Sequence, residues 1–196
     1  MKVIAGVVLI MALMAPQAAE AQRRNSWGAT NPYSFSPYVG VYKDAYDRAA
    51  DGSDVGWMVG FKAGYQEGDR TTFHLNLAYA HANDVASRTV LNNTVVDNRW
   101  VITTVGGDFA LVPGTTSIAI GLDAGVAWRS NTTSTAGGDA RSDGWATYET
   151  VAPALTLRHH FSQRSSLSLS AQDYILDFFE GPVQHSPALT LGLSFR

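Results

Sequence analysis

The sequence predicts an all-β protein, an eight-stranded antiparallel up-and-down transmembrane β-barrel. Three observations predict it. Large apolar residues alternate with small or polar ones in segment after segment, the period of a strand with two unlike faces. Short and long connections alternate strictly between those segments. Aromatic residues on the apolar face collect toward the two ends of the segments.

The first strand, Phe35 to Asp44, is weakly patterned. The second, Val55 to Tyr65, is the clearest: Val55, Trp57, Val59, Phe61, Ala63 and Tyr65 alternate with glycines, Met58 and Lys62. A soluble amphipathic strand would carry charges on its second face. Small residues there suit the inside of a narrow, tightly curved barrel. The third strand, Thr71 to His81, sets Phe73, Leu75, Leu77 and Tyr79 against Thr72, His74, Asn76, Ala78 and Ala80. In the fourth, Arg99 to Val112, Ile102 falls among Trp100, Thr104, Gly106 and Asp108, so a bulge or a rim position is expected at Ile102. The remaining strands are Thr116 to Arg129, Val151 to Phe161, Ser165 to Ile175 and the terminal alternation of Leu189, Leu191, Leu193 and Phe195. Each approaches the roughly 9–11 residues that a tilted strand needs to cross a bilayer.

Glu67 to Arg70, Val112 to Thr115 and Ser162 to Ser165 are short and predict tight hairpin turns. Lys43 to Asp54, Ala82 to Asn98, Ser130 to Gly144 and Leu176 to Pro187 are longer and polar. A sandwich has no reason to sort its connections in this way. A membrane barrel does, because one mouth carries turns and the other carries loops. Both termini then lie at the short-turn mouth. On the apolar face, Tyr65, Phe73, Phe109, Phe161 and Phe195 fall near that mouth, and Trp57, Tyr79, Trp128 and Trp145 near the other. β-propensity explains aromatic residues in strands but not two bands of them.

Residues 1–21 predict a cleaved secretory signal: Lys2, an apolar run from Val3 to Ala15, and the small-x-small motif Ala19-Glu20-Ala21. Residues 22–33 form an N-terminal segment and 34–196 the barrel domain. The chain has no cysteine, so stability must come from packing, hydrogen bonds or the membrane. Its formal net charge is −3 without a basic block, which argues against a nucleic-acid partner.

From about Ser34 to Arg196 the chain resembles the eight-stranded outer-membrane barrels, which include the transmembrane domain of outer membrane protein A and the opacity-type adhesins. The resemblance rests on Ser36-Pro-Tyr-Val-Gly-Val41, the glycine-alternating strand from Val55, and Leu189-Thr-Leu-Gly-Leu-Ser-Phe195. It implies the bacterial outer membrane, contact with its lipid, and the barrel-assembly machinery as a partner. That machinery reads a terminal aromatic residue in this family, whereas Phe195 here precedes Arg196.

Eight strands enclose a bore that side chains can fill. The inward set includes Lys62, His74, Asp108, Asp123, Arg129 and Arg158. These predict a polar network that plugs the lumen, since each inward charge needs a partner. Lys62, His74, Asp108 and Arg158 should meet near the short-turn mouth, with Asp123 and Arg129 above them. No cofactor or metal site is expected. The expected role is structural or adhesive, with an extracellular surface partner meeting the long loops. Two rivals are a narrow small-solute channel and a lipid A-modifying enzyme. For the enzyme, His81 near the outer rim, with Asp84 or Ser87 beside it, His159-His160, and His185-Ser186 are the candidates, but adjacent strand residues point to opposite faces. The sequons Asn92-Asn-Thr94 and Asn131-Thr-Thr133 are expected in loops, as chance matches.

Overall fold

The computed structural model describes residues 32–44, 55–67, 70–89, 92–135, 138, 140–162, 164–177 and 183–196, and side chains at these positions except 83–89, 92–95 and 135. Residues 1–21, where a secretory signal is expected, and nearly all of the segment 22–33 lie outside the described residues. Eight strands follow one another: β1 (Tyr33–Lys43), β2 (Val55–Glu67), β3 (Thr71–Thr89), β4 (Asn92–Val112), β5 (Thr116–Thr135), β6 (Arg141–His160), β7 (Ser165–Leu176) and β8 (Gln184–Phe195). They form a closed antiparallel barrel in chain order, with β8 returning to pair with β1. Closure leaves no sheet edge through the belt, which is what allows strands to cross hydrocarbon.

Parity is as the alternation predicts. Leu75, Val105, Ile120, Leu122, Leu155, Leu169 and Leu191 point outward and are exposed, while their neighbours His74, Thr104, Asp123, Thr156 and Ser170 are buried. A water-soluble protein gathers such leucines inside. Here they form an apolar belt, with Tyr65, Phe73, Phe109 and Phe161 at its lower end and Trp57 tilted against Tyr79 at its upper end (ring centroids 5.4 Å apart). The strands are strongly staggered. Stepping across paired residues from Phe35, through Ala63, Leu75, Val105, Ala124, Val151 and Ile175, arrives at His185, at the opposite end of the barrel.

The structure differs from the expectation at the upper rim. Most of Ala82 to Asn98 and of Ser130 to Gly144 is strand, not loop. β3 to β6 therefore run on past their neighbours: β2 stops pairing with β3 at His81, and β7 stops pairing with β6 at Thr150. The reason is physical. Alternation is visible only where one face meets hydrocarbon and the other the bore. Beyond that belt the sequence carries polar residues at both parities, so the contrast vanishes while the backbone ladder continues. The barrel is flush at the short-turn mouth and carries a four-stranded wall at the other. Two smaller corrections concern Tyr33, which already belongs to β1, and Phe161, which lies just beyond β6.

Ile102 is neither at the rim nor in a bulge. It points inward, fully buried, in regular register with Ala78 and Ala127. The register shifts fall instead at Val85/Ser87, Ala110/Val112 and Ser130/Thr132. Ile102 faces inward because the upper bore is itself apolar.

Candidate functional site: the interior of the barrel

The bore has two layers. In the lower layer, nearer the short-turn mouth, Asp123 on β5 is the hub. Its carboxylate meets His74 Nε2 at 2.8 Å, accepts from Gln172 Nε2 at 3.0 Å and Thr104 Oγ1 at 3.4 Å, and faces Lys62 Nζ at 3.8 Å. Asp108 stands on the other side of His74, 3.9 Å from Nδ1, and accepts from Arg158 Nη2 at 3.5 Å. His74, Asp108 and Asp123 are all more than nine-tenths buried. The opposite wall is made of hydroxyls from β6, β7, β8 and β1. Thr156 bonds to Ser170, and Ser36 donates to Ser194 at 2.9 Å. Between the walls lies a cavity of about 40 Å³, bordered by Lys62, Asp108, Arg158 and Ser168.

Glycine makes this network sterically feasible. A Cβ at Gly106 would strike the Asp123 carboxylate, and one at Gly121 would strike that of Asp108. Gly121→Ala should therefore destabilise the barrel by about 1–3 kcal/mol through overpacking. Urea unfolding in lipid vesicles would check this, and an unchanged midpoint would show that Asp108 simply moves aside.

The upper layer is apolar and aromatic. Tyr38, Tyr42, Met58, Trp100, Ile102, Tyr174 and Leu176 form one buried cluster with the inward alanines. The Tyr38, Tyr174 and Trp100 tips are engaged, while the buried Tyr42 hydroxyl has no hydrogen-bond partner among the described residues. Tyr38 donates to Asn76 Oδ1 at 2.7 Å, and Tyr174 to Gln172 Oε1 at 3.3 Å, tying this layer to the one below. At the top, Trp100 Nε1 donates to Asp44 Oδ2 at 3.0 Å, Arg129 lies 5.5 Å over the Trp100 ring, and Arg129 donates to Asn98 Oδ1 at 3.0 Å.

All six residues expected inside do point inward. Lys62, His74, Asp108, Asp123 and Arg158 are brought together. Asp123 is not a separate, higher group, because strand stagger carries it level with His74 and Lys62. Arg129 stands apart, across the aromatic layer. The alternation puts Asn76 and Gln172 on the inward face, but nothing in the sequence marks them as partners of the charged group or foretells the Trp100–Asp44 contact. A signal for the upper layer was present: Tyr42, Met58, Trp100 and Tyr174, large exceptions on the small-residue face, lie toward the long-loop end of their strands.

The enzyme candidates are dispersed. His81 faces outward, with Nε2 2.7 Å from Asp97 Oδ1, and Arg99 donates to the other Asp97 oxygen at 2.9 Å. The side chains of Asp84 and Ser87 lie outside the described residues. His159 faces outward against Thr116 Oγ1 at 2.9 Å, and its neighbour His160 faces inward. His185 and Ser186 are both in β8, on opposite faces. His185 meets Asp173 at 2.7 Å outside, and Ser186 is buried inside. Asn131 lies on the inward face of β5 and Asn92 begins β4, so neither sequon sits in a loop. Among the described residues, no cluster of three or more His, Cys, Asp or Glu could hold a metal ion.

Solved structures match this closed, staggered barrel over most of its length. Neisserial surface protein A superposes with a TM-score of 0.54 at 12% identity, over 86% of this chain and 99% of that one. The fold is that of the small eight-stranded outer-membrane barrels. The N-terminal β-barrel domain of Pseudomonas aeruginosa OprF gives 0.51 at 12% identity, over 84% of this chain and 97% of that chain. Ail, the attachment invasion locus protein of Yersinia pestis, in its complex with the heparin analogue sucrose octasulfate, gives 0.50 at 14% identity, over 84% and 99%. No family model and no curated protein matches the chain.

Proposed function

We propose that this barrel is a bacterial outer-membrane protein of structural or adhesive type, with a bore stopped by its own side chains. The observation that carries the reading is the upper layer. Tyr42, Met58, Trp100 and Leu176 have no solvent-accessible surface, at the height where a channel would need its path. Below them the inward charges are spent on one another. What remains for interaction is the long-loop mouth, where the β3–β6 wall rises beyond its neighbours and presents Trp145, Arg141 and Asp143 to solvent. A surface partner would meet the protein there.

Planar-bilayer recording tests the stopped bore. The native protein should give no steady conductance steps, and reproducible steps that respond to neutralising Lys62 or Asp108 would replace this reading with a narrow channel. We also place the protein outside lipid A chemistry. The outward histidines toward the long-loop mouth, His81 and His185, are held by Asp97 and Asp173, with no serine against either ring among the described residues. Mass spectrometry of lipid A should give the same species with and without expression. A new acylation state would reverse that assignment.

A further inference from the structure

The outward belt is not uniformly bulky. In its short-turn half, Ala63 on β2 and Gly107 on β4 are outward positions with no more than a methyl group, two strands apart. They flank β3, since Ala63 pairs with Leu75 and Phe73 pairs with Gly107. The result is an open groove of about 790 Å³ on the outside of the barrel, within the range of volumes that small-molecule sites occupy. Leu75 and Val105 line its upper part, and Phe73 with the tilted ring pair Tyr33 and Tyr65 (centroids 5.6 Å apart) frames its lower end.

We propose that this groove holds one acyl chain of a glycerophospholipid in the periplasmic leaflet, a binding site distinct from the general lipid annulus. The inference rests on the membrane-barrel reading above. Three features select this occupant. The groove opens from strand faces that the barrel turns to hydrocarbon, so its guest comes from the bilayer. Its lining is almost wholly apolar, which suits a methylene chain. Its lower end has the chemistry of a headgroup boundary: tyrosines with an apolar body and a polar tip, and exposed Arg70 in the adjoining β2–β3 turn, a cation at the level of a lipid phosphate. A chain lying here would run from that boundary up past Leu75, in a slot where Ala63 lets it approach the backbone and the Phe73 ring, laid over Gly107, forms one flank. Dispersion contacts with the Phe73, Leu75 and Val105 side chains would hold it longer than a chain on the convex belt elsewhere.

Native mass spectrometry of the intact barrel, released from detergent after mixing with phosphatidylethanolamine or phosphatidylglycerol, tests the site. The native protein should retain one phospholipid. Ala63→Leu puts a side chain into the groove without touching the bore and should lower retention by about tenfold, the effect of losing roughly ten close carbon–carbon contacts. Ala63→Phe should lower it further. Leu169→Phe adds similar bulk on the opposite wall and should leave retention unchanged. Arg70→Glu should weaken the anionic lipid more than the zwitterionic one. Heat-modifiable gel mobility, run on each variant, separates failure of the site from failure of the barrel. Equal retention by native and Ala63→Leu protein, both folded, would overturn the site and leave the barrel standing. A dimer that Ala63→Leu dissolves would assign the groove to a second copy of the chain and overturn the lipid.

Discussion

Asp123→Ala is expected to cost the barrel about 3–5 kcal/mol, the penalty for removing one partner from a buried charge network. The carboxylate receives four groups at once, from Lys62, His74, Thr104 and Gln172, brought in from β2, β3, β4 and β7. Alanine leaves His74 beside Asp108 alone and deprives Lys62 of its counter-charge inside a wall of low dielectric. Asp123→Asn is the informative companion. It keeps the shape and a carbonyl acceptor for Gln172, so it should recover part of the loss. Urea-induced unfolding in vesicles, followed by heat-modifiable mobility, reads both. A loss below about 1 kcal/mol for Asp123→Ala would mean that the lower cavity solvates Lys62 and His74 well enough to replace the carboxylate.

Trp100→Ala should be comparably costly, for a different reason. Truncating a fully buried tryptophan typically costs about 3–5 kcal/mol through lost transfer energy and the void left behind. Here the indole also donates to Asp44, which is itself buried, and carries Arg129 over its face. The same substitution removes the largest side chain of the upper layer. A barrel that survives it should conduct where the native protein does not, and Trp100→Ala with Tyr174→Ala should conduct more. Ile102→Val sets the scale, at about 0.5–1.5 kcal/mol and no current. If the double variant folds and remains silent, the seal lies elsewhere, and the charge network below would be the place to look.

The two experiments separate the layers. Loss of Asp123 should lower stability without opening a path, because the aromatic layer still closes the bore. Loss of Trp100 should do both.

Strand number, closure and the side to which each residue points were legible in the sequence, because alternation is a local property. Once Leu75 faces hydrocarbon, His74 and Asn76 must face the bore, whatever the rest of the chain does. The membrane makes this parity readable by setting a sharp contrast between the two faces. Where that contrast fades, the reading failed: β3 to β6 continue beyond Ala82, Asn98, Ser130 and Gly144 with polar residues on both sides, and their pairing depends on neighbours rather than on pattern. Partnership inside the bore was likewise out of reach. The sequence shows that Asp123 and Lys62 point inward, but their relative height depends on how far the staggered strands climb around the barrel, a quantity that exists only once the cylinder has closed. Parity belongs to each strand alone. Height, contact and the division of the bore into a charged half and an aromatic half belong to the closed sheet.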